Sequence, residues 1–226
     1  MKKRRIILAY RSLIIKLYCL VRFLIIRINI LEKIEQPLND YSAGRVLDVG
    51  CGFGLFAFYN ATRHRDLTID GVDINARRIA EAEEVRRRLG IENVRFEVRD
   101  VRQLESGGER YKVIYMLDIL HHIPVLSKYR LLRTCNLLLD PDGILIIKDI
   151  HTASRHKLIF TWLLDKLVDF RAPLTYQHYD KIERILGFCG FKTVREDVID
   201  DVLPYPHMIL VCQKDQGYHS PLQRPQ

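Results

Sequence analysis

The 226-residue sequence has no cysteine pair at C-x-x-C spacing, no uncharged apolar run long enough to span a bilayer, and no charge imbalance beyond its first 33 residues. Each shortage excludes something. The five cysteines, Cys19, Cys51, Cys135, Cys189 and Cys212, are scattered without zinc or disulfide-framework spacing, and read as reduced thiols of a cytoplasmic protein. The N-terminal segment is apolar, but Arg11, Lys16, Arg22 and Arg27 interrupt it well short of the ~20 residues that a membrane span needs. The same cations break the apolar centre of a secretory signal, and no small-residue cleavage site follows. The net charge of +8 lies entirely up to Lys33, where nine Lys and Arg face Glu32 alone, and the remaining charges balance. A nucleic-acid footprint across the main domain is therefore not indicated. The length and the 48% hydrophobic content suit one α/β domain.

What is present is organised around Arg45 to Gly54, where Val46, Leu47 and Val49 form a short apolar run that reads as a buried parallel strand. Gly50, Gly52 and Gly54 then supply a glycine at every second position, and Leu55 to Tyr59 looks helical. Strand, glycine loop and helix form a nucleotide-binding device, weak as a signal when taken alone. The dinucleotide fingerprint wants a small residue where Leu55 stands, and Asp48 two residues before the first glycine would repel a pyrophosphate. A carboxylate there suits a ligand that carries an ammonium and a sulfonium.

The spacing predicts further strands at Leu67–Asp73, Val94–Val98, Tyr111–Leu117, Ile144–Ile147, Phe191–Ile199 and Met208–Gln213. Helices are expected over Ala76–Leu89, Leu126–Leu139 and Asp180–Gly190, with a turn at Pro141-Asp142-Gly143. Asp48, Asp73 and Asp100 each close a successive strand, the edge where open parallel sheets bind ligands. Asp73 lies about twenty residues past the glycines, as a ribose ligand does. The alternative for Asp73 is a helix N-cap, a role that Asn75 fills better.

On these residues the chain resembles the class I S-adenosylmethionine-dependent methyltransferases, whose first motif has the same acid followed by G-x-G-x-G. The resemblance covers about Arg45 to Lys214. It implies an α/β, Rossmann-like, seven-stranded, mostly parallel sheet with an antiparallel last strand, helices on both faces and an N-terminal amphipathic helix. The methyltransferase domain is expected at 37–214, after the helix at 1–36 and before a flexible tail at 215–226. An apolar stretch, Arg155 to Phe170, falls in a cap insertion at about 151–178, where the family places substrate caps. The implied cofactor is S-adenosyl-L-methionine, held by Asp48, Gly50, Cys51, Gly52, Phe53, Gly54, Asp73, Ile74, Asp100, Val101 and Asp118. In the family the third acid accepts a hydrogen bond from the adenine amino group, a role that falls on Asp100, while Val101 packs on the ring.

Family members often carry a D-x-L-H-H after the fourth strand, near the methyl group, and here it is Asp118-Ile119-Leu120-His121-His122. His121 and His122 are candidates for a proton acceptor or substrate ligand, with backbone capping as the alternative for His122. No metal is expected. Lys148-Asp149 either faces the substrate or forms a buried pair at the strand end. No N/D-P-P-Y/F and no Pro-Cys follows the fourth strand, which leaves an oxygen or carbon of a small or lipid-like acceptor. The rivals are an RNA methyltransferase that uses the basic N-terminal helix and a non-catalytic cofactor-binding or partner-docking protein.

Wound at about 100° per residue, Ile6, Tyr10, Leu13, Ile14, Leu17, Leu20, Val21, Leu24, Ile28 and Leu31 fall on one side of the N-terminal helix. Arg4, Arg11, Lys16, Arg22 and Arg27 fall on the other, together with Phe23, Ile26 and Ile30. Such a helix either lies in an anionic membrane interface, at the inner face of the membrane through residues 1–33, or packs on its own domain.

Overall fold

Short apolar runs bounded by turn residues become strands, and the structure, a computed structural model describing residues 3–26, 28–103, 110–151, 178–199 and 206–218, places seven of them in one sheet. The strands are β1 (Gly44–Val49), β2 (Leu67–Asp73), β3 (Val94–Val98), β4 (Tyr111–Leu117), β5 (Leu139–Ile150), β6 (Phe191–Ile199) and β7 (His207–Lys214). Their order is β3-β2-β1-β4-β5-β7-β6. β1 runs parallel to β2 and β4, and β2 parallel to β3. β7 is antiparallel to both β5 and β6. Val46, Leu47, Val113, Ile114, Leu145, Ile146 and Ile147 are buried without alternation, as strands covered on both faces are.

The helices are α1 (Lys3–Ala9), α2 (Leu13–Ile25), α3 (Ile28–Glu35), α4 (Leu55–Arg63), α5 (Ala76–Leu89), α6 (Val125–Leu138) and α7 (Tyr179–Phe188). Two compact units carry these elements, β1–β4 with α1–α5 in one and β5–β7 with α6 and α7 in the other. In the first unit, Asn75 starts α5 by accepting from the Arg77 and Arg78 amides at 3.1 Å, and Gly90 ends it in the left-handed conformation at φ 63°. In the second, Gly190 follows α7 at φ 79° and its carbonyl accepts from the Asn136 side chain of α6 at 2.8 Å.

Three expectations need correction. Pro141-Asp142-Gly143 is not a turn but the opening of β5, ahead of the ladder to β7 that begins at Ile144, where a residue without an amide hydrogen is tolerated. The segment expected as one N-terminal helix is three. Ser12 caps α2, its hydroxyl accepting from the Ile15 amide, and so restarts the helix after Tyr10. The start of the tail is tied down rather than flexible, since the Tyr218 hydroxyl donates to the Phe188 carbonyl at 2.7 Å. The cap at Arg155–Phe170 and residues 219–226 lie outside the described residues.

The side of α2 that packs is also not the side expected. Ile15, Cys19 and Phe23 are buried, with Phe23 edge-on to Phe56 and Tyr59 of α4 at 6.1 and 6.3 Å between centroids. The stripe from Leu13 to Leu24 stays exposed. Among the described residues no helix is long and apolar enough to cross a membrane.

Candidate functional site

β1 delivers Asp48 and then the glycine loop. Gly50, Gly52 and Gly54 all adopt positive φ, at 70°, 56° and 76°, which explains the alternate glycines. The loop is held to β2 by the Gly50 and Cys51 amides, which donate to the Val72 carbonyl at 2.8 and 3.1 Å. A side chain at Gly54 would also strike the Phe96 ring of β3, 2.5 Å from its Cβ position, whereas one at Gly52 would enter open space. A loop with an open face at its centre and backbone angles that only glycine adopts easily is a fitting cradle for a ligand.

Asp73 ends β2 with its carboxylate fixed on both oxygens, Oδ2 accepting from the Gly52 amide at 2.9 Å and Oδ1 from the Asn75 amide at 2.8 Å. Each oxygen keeps a second lone pair, so the group can still accept from a diol. Asn75 alone caps α5, and the alternative for Asp73 is thereby excluded. Asp48 is buried, and burial pushes its carboxyl up to about 8; Tyr115 pulls it down and the charge on Asp73 pushes it further up. Burial likewise raises the Cys51 thiol, with Asp48 and Asp73 adding to the effect. A cation placed here would favour the ionised form of Asp48. Ile74 projects into solvent, while Val101 is buried. Asp100 is engaged by Arg102, which donates from Nε to its two oxygens at 2.9 and 3.0 Å and holds the carboxyl below its usual range. The Arg102 amide also donates to Asp100, at 3.0 Å, so the residue serves as a backbone turn.

The second unit gathers a different set. Asp118 leaves β4 at φ 57°, the one positive φ outside glycine among the described residues. Its carboxylate pairs with Lys148, which is fully buried, and its amide donates to the Lys148 carbonyl at 2.8 Å. The next strand residue, Asp149, turns the other way and hydrogen-bonds His121 Nδ1, while also accepting from the His121 amide at 3.2 Å and the Ile150 amide at 2.7 Å. Lys148 and Asp149 therefore do not pair with each other, because adjacent strand residues face opposite sides of a sheet. Burial is the largest effect and raises Asp149, but the electrostatic pull and the hydrogen bond of His121, together with the Ile150 amide, outweigh it, so the carboxyl ends below its usual value. Lys128 of α6 is also buried, and burial lowers its ammonium against the raising effect of Asp149. The His122 ring lies tilted at 45° to that of His121 with 4.0 Å between centroids, and its amide is bonded to the Ile119 carbonyl at 3.0 Å. Among the described residues no group of three His, Cys, Asp or Glu is placed to hold a metal ion.

Residues 40–180 match the family model described as a methyltransferase domain, more than half of the chain. The chain belongs to that family. It is a class I S-adenosylmethionine-dependent methyltransferase. The methyltransferase is 24% identical over 197 residues to a ubiquinone biosynthesis O-methyltransferase of Actinobacillus pleuropneumoniae serotype 5b (strain L20), covering 84% of this chain and 75% of that one. It is 27% identical over 192 residues to an enzyme of the same name from Haemophilus ducreyi (strain 35000HP / ATCC 700724), covering 82% and 73%. Among solved structures, the fold is similar to magnesium protoporphyrin IX methyltransferase from Synechocystis PCC 6803 with bound SAH, with TM-score 0.64 and 23% identity over 82% of each chain. It is similar also to mitomycin 7-O-methyltransferase, with TM-score 0.66 and 18% identity over 81% of this chain and 53% of the other.

Sequence reasoning missed the residues that brace the methyltransferase's loop from outside. The Tyr10 hydroxyl donates to the Phe53 carbonyl at 2.7 Å, and Tyr18 of α2 meets the Phe53 ring at 5.5 Å between centroids. Phe53, named for the cofactor, thus also anchors the N-terminal helices. No periodicity signals such contacts, which join residues more than thirty positions apart.

Proposed function

We propose that this methyltransferase transfers a methyl group to an oxygen of a small, lipid-like acceptor, with His121 as general base and Asp149 as the residue that positions it. The His121–Asp149 pair carries the proposal, and the O-methyltransferase names of the sequence relatives support it. On the cofactor side, the Gly50–Gly54 loop would take the methionine portion, Asp73 the ribose hydroxyls, and Ile74 and Val101 the adenine faces. Asp100 would reach the adenine amino group by sharing its carboxylate with Arg102. Asp48 would offset the ligand's positive charge.

Bound S-adenosylmethionine supplies a methyl carbon already activated on a sulfonium, so the protein's share is alignment, exclusion of water and acceptance of a proton. Asp149, accepting from Nδ1, selects the His121 tautomer in which Nε2 is basic. Nε2 would take the proton that the acceptor hydroxyl gives up, and Asp149 would stabilise the resulting imidazolium. His122 packs against the ring. The five free thiols fit a reducing compartment such as the cytoplasm.

Turnover with a panel of lipid-soluble phenols and alcohols tests this. His121→Ala and Asp149→Asn should lower kcat by about 10²–10⁴-fold while cofactor affinity by calorimetry stays near native. The native rate should fall toward acid pH as the imidazole gains a proton, and the His121 variant should lose that limb. Full activity in both variants, or transfer confined to carbon or nitrogen, would overturn the proposal.

A further inference from the structure

α2 has two apolar faces and only one of them is used by the fold. Ile15, Cys19, Phe23 and the following Ile26 are buried against the first unit. On the opposite side Leu13, Ile14, Leu17, Leu20, Val21 and Leu24 are each between 39 and 80% exposed. At 100° per residue these six fill an arc about 120° wide, and Lys16 and Arg22 lie on the two margins between the arcs. An apolar stripe of this continuity on a 13-residue helix is not the scattered exposure normal for a surface.

We propose that α2 is an interfacial helix that seats the enzyme on an anionic lipid surface, the Leu13–Leu24 stripe entering the headgroup boundary and the surrounding cations meeting the lipid phosphates. The occupant follows from charge. The segment up to Lys33 holds the whole net charge of +8, and Arg4 and Arg5 of α1 and Arg11, two residues before Leu13, are exposed. Arg11 remains 76% exposed even while it contacts Glu84 at 3.2 Å. A second copy of the chain would bring two arms of the same sign together, whereas anionic lipid offers both an apolar layer and compensating charge. At about 1.5 Å per residue α2 is roughly 20 Å long, shorter than the ~30 Å hydrocarbon core, so it lies along the surface rather than across it. The buried face keeps its place on α4 throughout, and the contact requires no rearrangement of the domain. The inference is independent of which acceptor is methylated.

Flotation of the full chain with vesicles of phosphatidylcholine containing about 30% phosphatidylglycerol, and with neutral vesicles, tests it without any activity measurement. The protein should float with the anionic vesicles at low salt and be released at high salt. Leu17→Asn with Leu24→Asn should weaken partitioning by about tenfold for each leucine withdrawn, with cofactor binding retained as evidence of an intact fold. Lys16→Glu, which leaves both apolar arcs in place, should weaken anionic binding alone. Failure to float at low salt overturns the proposal, as does equal, salt-insensitive binding to neutral vesicles. A dimer in solution that the two leucine substitutions dissociate, without vesicle binding, assigns the stripe to a second copy and overturns it as well.

Discussion

Two sets of buried carboxylates lie in the two units, and they are treated in opposite ways. In the first unit Asp48 is pushed up to about 8 and Asp73 is fixed by backbone amides alone. In the second, each acid has a basic side chain as partner, Asp118 with Lys148 and Asp149 with His121, and Asp149 ends below its usual value. The contrast separates two jobs. Carboxylates without a basic side chain beside them are poised for a ligand that brings a cation, while carboxylates that already have one hold that side chain in place. A sulfonium- and ammonium-bearing cofactor fits the first kind.

Substitutions should expose that division, most strongly in the second unit. Lys148→Met leaves Asp118 buried without its partner and should lower stability by about 3–5 kcal/mol in denaturant unfolding. Near-native stability would mean that Lys148 is not what neutralises Asp118. Asp73→Ala should instead act on the ligand, weakening S-adenosylmethionine by about 1–3 kcal/mol in calorimetry with a smaller change in unfolding. Unchanged affinity would reduce Asp73 to a clamp on the loop. The smallest effect is a pH dependence. Asp48 has a folded pKa raised above its unfolded value, so it holds its proton up to about pH 8 and its contribution to folding declines as pH rises from about 4 to 8. A bound cation lowers that pKa and releases the proton. Cofactor affinity should therefore rise toward pH 8, by up to about tenfold per unit, and level off above it. A flat profile between pH 6 and 8 would remove Asp48 from contact with the ligand's charge.

Much of this was legible beforehand. β2, β3, β4 and β6, and α5 with its Asn75 cap, fall on the predicted residues because buried parallel strands and capped helices leave short, local signals. Asp73 and the glycines were readable for the same reason, since motif and backbone angle are properties of a few consecutive residues. The partner of His121 was not, although part of the signal was there. The alternation of a strand forbids Lys148 from pairing with Asp149, but only the fold brings Asp149 to a histidine 28 positions earlier. The N-terminal segment misled in another way. Its periodicity marks a stripe correctly, yet a helix with two apolar faces does not announce which one packs, and the aromatic rings of Phe53, Phe56 and Tyr59 decided in favour of Phe23 and its neighbours.

The ring of Phe96 reaches the space that a side chain would need at two separate glycines, coming within 2.5 Å of the Cβ position at Gly54 and 2.7 Å at Gly71. One aromatic residue on β3 thus acts as a gauge for the spacing of the loop and of β2. The two glycines are not equivalent under it. Gly71 is constrained by room alone, but Cys51 Sγ also lies 3.0 Å from its Cβ position, so an alanine there needs both a smaller side chain at position 96 and a small shift of Cys51. Gly54 is constrained by room and by its φ of 76°, so trimming the ring leaves it a glycine still. Position 71 can change only with position 96 and with Cys51 giving way, while position 54 has no substitute on offer from its neighbours.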